Sequence, residues 1–376
     1  MSRVTLQQLQ AGVASFVTQA KISNPTYTAT ANNLVGLLDK IGKIVHIEQS
    51  LQSDKLNMFD GEYLSFGKKI EEWEQDLYPV ADYDPTGAGA LTPDYPNYRP
   101  VFYSETLGRK RIKVSIKYND VERAVNNTEQ FIEVISTQYK RIEDSFAQWR
   151  YAVKREMLAK LIAKAEGFMN GTADEYDGVF DPTGDYDIGA VVANASPATA
   201  YYIVFKPYDN DEATLADAIA SGYLVQLDLV TELAQPTDTS TGEAFIEQLK
   251  KDVEIAQDSS QGHSLNGNAL GVQETLVLIV KQGIRPALDV QTLAGAFQVD
   301  KLAIPTEIVT VKDFGSDASG AYAVLMDKRG MRLHPTYNAT RENPNGDGDF
   351  LNVFKHTENT AYISRNTFLK VYKNPA

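Results

Sequence analysis

The sequence contains no cysteine. That excludes disulfides, thiolate-bound zinc, iron–sulfur clusters and thiol nucleophiles, so cohesion must come from packing or from other chains. Histidine is scarce: His46, His263, His334 and His356 stand singly, with no HExxH pattern and no Ser-centred glycine elbow to support catalytic histidine chemistry. No apolar run approaches the roughly 18 residues that span a bilayer. The opening MSRVTLQQLQAGVASFVTQA lacks the charged-then-apolar order of a secretory signal, so a cytoplasmic site of synthesis is expected. The Asn-x-Ser/Thr triplets at Asn126, Asn194 and Asn338 then read as chance. Positive charge is in deficit: 36 Lys and Arg face 50 Asp and Glu, a net of -14. Duplex affinity depends on cations that neutralise phosphates, so this balance argues against a dedicated DNA binder.

With 376 residues, 43% of them hydrophobic and 10% aromatic, the chain can bury a sizeable core, in two domains or one elaborated domain. One stretch stands apart from the acidic background. RKRIKVSIKY, residues 109–118, holds five cations, Arg109, Lys110, Arg111, Lys113 and Lys117, and no anion, which leaves -19 on the rest of the chain. Ile112, Val114, Ile116 and Tyr118 alternate with Arg111, Lys113, Ser115 and Lys117, a period of two that predicts a half-buried strand with a basic outer face. The stretch lacks the interleaved aromatics or glycine spacing of a nucleic-acid module. Two readings remain: a solvated strand face, or a contact with acidic surface across a subunit boundary, where complementary charge steers association and fixes register.

Residues 1–58 read as a polar arm, in which NLVGLLDKIGKIVHI is an amphipathic helix weakened by Gly36 and Gly42. EYLSFGKKIEEWEQDL then concentrates Glu71, Glu72, Glu74 and Asp76. Residues 78–108 spend Tyr78, Tyr83, Tyr95, Tyr98 and Tyr103 among prolines and glycines that oppose regular structure. Such a segment suits the tip of a two-stranded arm that leaves its own subunit, because tyrosine supplies large contact area at interfaces. Residues 127–166 place Phe131, Ile135, Tyr139, Ile142, Phe146, Trp149, Val153, Met157 and Leu161 at spacings of three or four, one stripe of a long helix. Asn127 is its candidate cap, Gly167 and Gly171 its candidate ends, and Glu156 with Lys160 an i,i+4 pair.

Residues 181–335 alternate strands (AYYIVFKPY, ETLVLIV, TEIVTV, AYAVLM) with helices (ATLADAIASG, GEAFIEQLKKDVEIAQ, TLAGAFQV), the texture of a layered α/β unit. In 336–376, FLNVFKHT and TAYISRNTFLKVY read as strands flanking a hairpin-like gap at Glu358 and Asn359.

The sequence offers little site chemistry. GEYLSFGKK has one residue too many between Gly61 and Gly67 for a phosphate loop and no Ser/Thr after Lys68. DYDPTG, DPTGDYD and NPNGDGD lack the alternating ligands and closing Glu of a calcium loop, and Asp-Pro-Thr-Gly at 84–87 and 181–184 is a turn signature. No catalytic, cofactor-binding or metal residue is nominated, and carboxylates converging in space, as in a glycosidase, leave no local pattern.

The order of parts resembles the major capsid proteins of tailed bacteriophages, the Hong Kong 97 fold, and is most similar to those of podophages of the phi 29 type. LLDKIGKIV, GKKIEEWEQDL, GRKRIKVSIKYNDVERAV, IRPALDVQTLAGAFQVDK with IVTVKDFG, AYAVLMDKRGMRLHP and FLNVFKHTENTAYISRNTFLKVY carry the resemblance across nearly the whole chain. It implies an α+β fold with an N-terminal arm over 1–58 and an extended β-hairpin E-loop over 59–118. A spine-helix P-domain over 119–180 and an α/β A-domain over 181–335 follow, with C-terminal strands over 336–376 returning to the P-domain. It implies a non-enzymatic shell protein without cofactors that encloses a double-stranded DNA genome. Copies would gather in pentamers and hexamers, with scaffolding, portal and decoration or head-fibre proteins as further partners, DNA touched only non-specifically, and assembly in the host bacterial cytoplasm. Arg109, Lys110, Arg111, Lys113 and Lys117 would then lie at the base of the E-loop over acidic surface of a neighbour, with Glu71, Glu72, Glu74, Tyr78, Tyr83, Tyr95 and Tyr98 as further inter-subunit candidates. Lys68, Lys69 and Lys110, with Asn352 and Asn359, form no pattern that selects an isopeptide pair, so no crosslink is expected. An encapsulin-like compartment shell and, in a different class, a carboxylate-based hydrolase are the alternatives.

Overall fold

The computed structural model describes residues 54–65, 69–75, 85, 98–102, 104–117, 128–170, 177–210, 212–258, 260–269, 276–285, 307–318 and 320–375. They fall into two compact units. The described part of the first is 111–117, 128–147 and 339–355; the second takes the described residues of 53–110, 148–338 and 356–376.

β1 (Glu71–Gln75) pairs antiparallel with β2 (Tyr98–Phe102), Glu71 opposite Phe102 and Gln75 opposite Tyr98. β3 (Ser104–Lys117) follows. Tyr98–Phe102 and the start of β3 are therefore strand inside the stretch expected to be irregular up to residue 108. Pro100 is tolerated because a two-stranded ribbon has only edge strands, where a missing N–H can face away from the partner.

α1 (Thr128–Asn170) is one helix of 43 residues, about 65 Å at 1.5 Å per residue. It contains the expected stripe, and Glu156 pairs with Lys160 at 3.4 Å. It runs through Gly167, an expected end, because Ala165, Gly167 and Phe168 are buried and packing outweighs the propensity cost of one glycine, about 1 kcal/mol. Asn127, the expected cap, lies outside the described residues.

Next come β4 (Gly178–Val179), β5 (Asp185–Tyr186), β6 (Val191–Ala193), β7 (Tyr201–Val204), β8 (Tyr208–Asp209), α2 (Leu215–Ala220) and β9 (Leu224–Gln226). β4-β6-β7-β9 make a four-stranded sheet, and β5 pairs with β8. The Asp-Pro-Thr-Gly turn at 181–184 closes through Gly184 N–H to Asp181 O at 2.9 Å. β10 (Val230–Glu232), α3 (Thr239–Ala256), β11 (Ser260–Gln261), β12 (Asn268–Ala269), β13 (Leu276–Lys281), β14 (Glu307–Val311) and β15 (Ala321–Asp327) continue the chain. Asp238 caps α3 by accepting from Thr241 N–H at 2.9 Å.

The last strands are β16 (Met331–Asn345), β17 (Phe350–Ile363) and β18 (Leu369–Lys373). β18 enters a five-stranded sheet of order β10-β18-β15-β13-β14, so the end of the chain forms its interior. Both faces of that sheet are covered. Val277, Ile279, Val324 and Met326 share a core with Leu158, Ile162 and Ala165 of α1, and Leu278, Val280 and Leu325 share one with Phe245, Leu249 and Val253 of α3. Burial on both faces explains why β13 and β15 read as continuous apolar runs without alternation.

β17 corrects the expected gap at Glu358 and Asn359, which lie inside the strand and are buried. The hairpin turn comes earlier, at 346–349 between β16 and β17. There Asn345 Oδ1 accepts the N–H groups of Asp347 and Gly348, both at 3.0 Å.

Candidate inter-subunit surface

A three-stranded sheet has the order β16-β17-β3, which makes β3 an edge strand among the described residues. Its alternation is as expected: Ile112 and Val114 are half-buried and Ile116 is buried, whereas Arg111, Lys113, Ser115 and Lys117 are exposed. Tyr118 lies outside the described residues. In the first unit Ile116, Ile142, Phe146 and Val353 are buried, and Lys355 meets Glu143 of α1 at 2.6 Å. Ser115 Oγ donates to Asn352 Oδ1 at 2.6 Å, Lys113 approaches the Phe354 ring at 5.7 Å, and Arg109 reaches Glu358. As residue numbers fall on β3 they rise on β17, the signature of antiparallel neighbours.

The five cations of the strip differ in their surroundings. Arg109 Nε donates to Glu358 Oε2 at 3.3 Å, and its guanidinium lies 4.1 Å from the Tyr337 ring centre. Its charge is thus spent within its own chain. Lys110 lines a cavity of about 270 Å³ with Leu107, Trp149, Val153, Met157 and Ile363. Arg111, Lys113 and Lys117 remain on the exposed face with no carboxylate within ion-pair distance among the described residues. Their ring contacts, at 5.9 and 5.7 Å from Phe354 for Arg111 and Lys113, are exposed and worth about 0.5 kcal/mol each.

The acidic candidates separate too. Glu71 is exposed. Glu72 is half-buried, and its Oε1 accepts from Ser364 Oγ at 2.7 Å. Burial, and then the Glu72 carboxylate, push the nearby Tyr362 hydroxyl well above its ordinary value. Glu72 therefore ties the root of the β1-β2 ribbon to the segment after β17. Glu74 and Tyr98 sit in β1 and β2, but their side chains, like all of Tyr78, Tyr83 and Tyr95, lie outside the described residues. Lys68 and His46 also lie outside them.

Two charged clusters escaped the sequence reading. Lys154 in α1 is fully buried between Asp54 and Asp60, 2.6 Å from each. The available signal was a second apolar row, Leu158, Ile162 and Ala165, that begins with this lysine. Residues 54–65 are further fastened by Arg332 Nη1 to Met58 O at 2.7 Å and by Gly61 N–H to Leu333 O at 2.9 Å. The other cluster joins Asp228 to Lys370 Nζ at 2.5 Å and His263 Nε2 at 3.3 Å. Its members come from three distant segments, so no local pattern marks it.

A spine helix, a two-stranded ribbon, a layered α/β sheet and a long C-terminal hairpin define the chain as a shell protein of the Hong Kong 97 type. Two solved structures are similar in fold. One is the capsid structure of Staphylococcus phage Andhra, with TM-score 0.56, 10% identity, and coverage of 88% of this chain and 86% of that one. The other is a chain in the structure of head fiber and inner core protein gp22 of native bacteriophage P68, with TM-score 0.51, 12% identity, and the same two coverages of 88% and 86%. No curated protein matches the chain. Residues 7–193 and 232–367 match the family described as Phi29-like phage major capsid protein, and the chain belongs to that family. It is a major capsid protein, a structural component of the virion that associates with copies of itself to form the icosahedral shell.

Proposed function

We propose that the exposed face of β3 is a lateral contact of this shell, with Arg111, Lys113 and Lys117 set over acidic surface of a neighbouring copy. The observation that carries the reading is three exposed cations without a carboxylate partner among the described residues, on an edge strand of a chain whose net charge is -14. Charged edges resist indiscriminate strand addition and admit a partner of opposite sign. In this reading residues 59–118 form the E-loop that overlies the adjacent subunit, with Glu71, Glu74, Tyr78, Tyr83, Tyr95 and Tyr98 contributing contacts. Residues 119–180 with the C-terminal hairpin act as the P-domain, and 181–335 as the A-domain around the axes of pentamers and hexamers. The shell assembles in the host bacterial cytoplasm around double-stranded DNA held non-specifically. Scaffolding, portal and head-fibre or decoration proteins are its further partners, and the chain carries no catalytic activity. Many modest contacts in a closed lattice make such a shell far more stable than any one of them.

The test is the pair Arg111→Glu and Lys113→Glu in the full chain, followed by sedimentation and negative-stain microscopy. A folded subunit that forms no shells is the expected result; normal shells would discard the assignment.

A further inference from the structure

The sheet and its 346–349 turn carry exposed charges of both signs that have no ion-pair partner among the described residues. Ser115 meets Asn352, so continuing the antiparallel register by two residues brings Lys117 level with Phe350, at the foot of the 346–349 turn. Asp347 and Asp349 on that turn are exposed and have no ion-pair partner among the described residues. With Arg341 and Glu342 included, residues 341–349 carry a net charge of -2.

The turn is built to hold its carboxylates in place. Asn345 Oδ1 fixes two successive N–H groups, Asp349 adopts φ 48°, and a Cβ on Gly348 would come within 2.4 Å of the Phe350 ring. A pre-set turn loses little conformational freedom on binding. Spacing agrees as well: residues two apart on a strand are about 6.6 Å apart, a separation two residues in a turn can match.

We infer that the 346–349 turn of one copy seats Asp347 and Asp349 on the Arg111, Lys113 and Lys117 face of the next. This rests on the reading of that face as a subunit contact and adds the partner surface. A donor turn and an acceptor face that differ on one molecule make a heterologous contact, which closes into a ring when the rotation between copies permits.

Charge swapping tests it in the full chain. Asp347→Lys with Asp349→Lys is expected to lower shell yield at least tenfold, as is Arg111→Glu with Lys113→Glu, and the four changes together to restore most of it. If the cation reversal blocks shells and the acid reversal does not, the basic face keeps its role and the turn loses its own. If neither reversal has an effect, both readings fail. Failure of the fourfold variant to regain shells overturns the pairing if circular dichroism finds it folded.

A second probe does not depend on that variant. Because the chain has no cysteine, Lys113→Cys combined with Asp349→Cys introduces the only thiols. Lys113 lies level with Phe354, so its distance to Asp349 within one chain is five strand positions, about 17 Å. A short bis-maleimide applied to assembled shells should then give covalent multimers from the double variant and none from either single variant. Assembled shells without multimers would contradict the inference.

Discussion

Nζ of Lys154 lies 2.6 Å from Oδ2 of Asp54, a residue 100 positions earlier, and the lysine side chain is 1% exposed. A buried ammonium is stable only while its counter-charges stay in place. The pair, with Asp60 as second acceptor, therefore pins the segment entering the body to the middle of the spine helix. Lys154→Ala is expected to destabilise the subunit by about 3 kcal/mol, and Lys154→Met, which keeps the packing volume, by less. Urea unfolding of unassembled subunits measures both.

Arg109 and its neighbours should separate by assay. Arg109→Ala removes a partner of buried Glu358 and should cost about 1 kcal/mol of subunit stability. Arg111→Ala and Lys113→Ala should stay within about 0.5 kcal/mol in the same unfolding experiment while shell yield falls. Equal stability losses at all three positions would mean that the strip serves its own fold.

Asp228 makes the fold acid-sensitive. Burial alone would raise its pKa, but the His263 imidazole 3.3 Å away and the Lys370 ammonium outweigh it and hold the group at about 2. A depressed folded value contributes stability above the unfolded value, near 4, that is lost as pH falls through about 2. With the carboxylate half exposed, the contribution is about 1 kcal/mol. Asp228→Asn should flatten the stability profile between about pH 4 and 2.

Tyr372 OH donates to Asp252 Oδ2 at 2.6 Å, and Gln248 donates to Oδ1 at 2.9 Å. Burial raises the Asp252 pKa, and these donors oppose the rise. Tyr372→Phe removes one donor, costs about 1–3 kcal/mol at neutral pH and lifts Asp252 further. A raised folded value favours the fold at low pH, so the deficit should narrow as pH falls from neutral toward the ordinary carboxylate range. A deficit independent of pH would assign the loss to packing.

What was legible in the sequence was periodic. The α1 stripe and the alternation of Ile112, Val114 and Ile116 with cations follow from local geometry; the helix appears with bounds close to those expected, whereas β3 starts at Ser104, inside the stretch expected to be irregular. Non-local partners were not legible. Nothing near Arg109 points to Glu358 or Tyr337, and nothing near Lys154 points to Asp54. Glu358 and Asn359 read like a turn because polar pairs usually mark one, yet both are buried inside β17, where Glu358 pairs with Arg109. The exposed turn that carries Asp347 and Asp349, proposed above as a contact, reads in the sequence only as a poor calcium loop.

The most direct measurement is an electron cryo-microscopy reconstruction of assembled shells at side-chain detail. The account expects a carboxylate of a neighbouring copy within about 4 Å of Arg111 or Lys113. A face of β3 open to solvent in every copy, with no second chain against it, would contradict it.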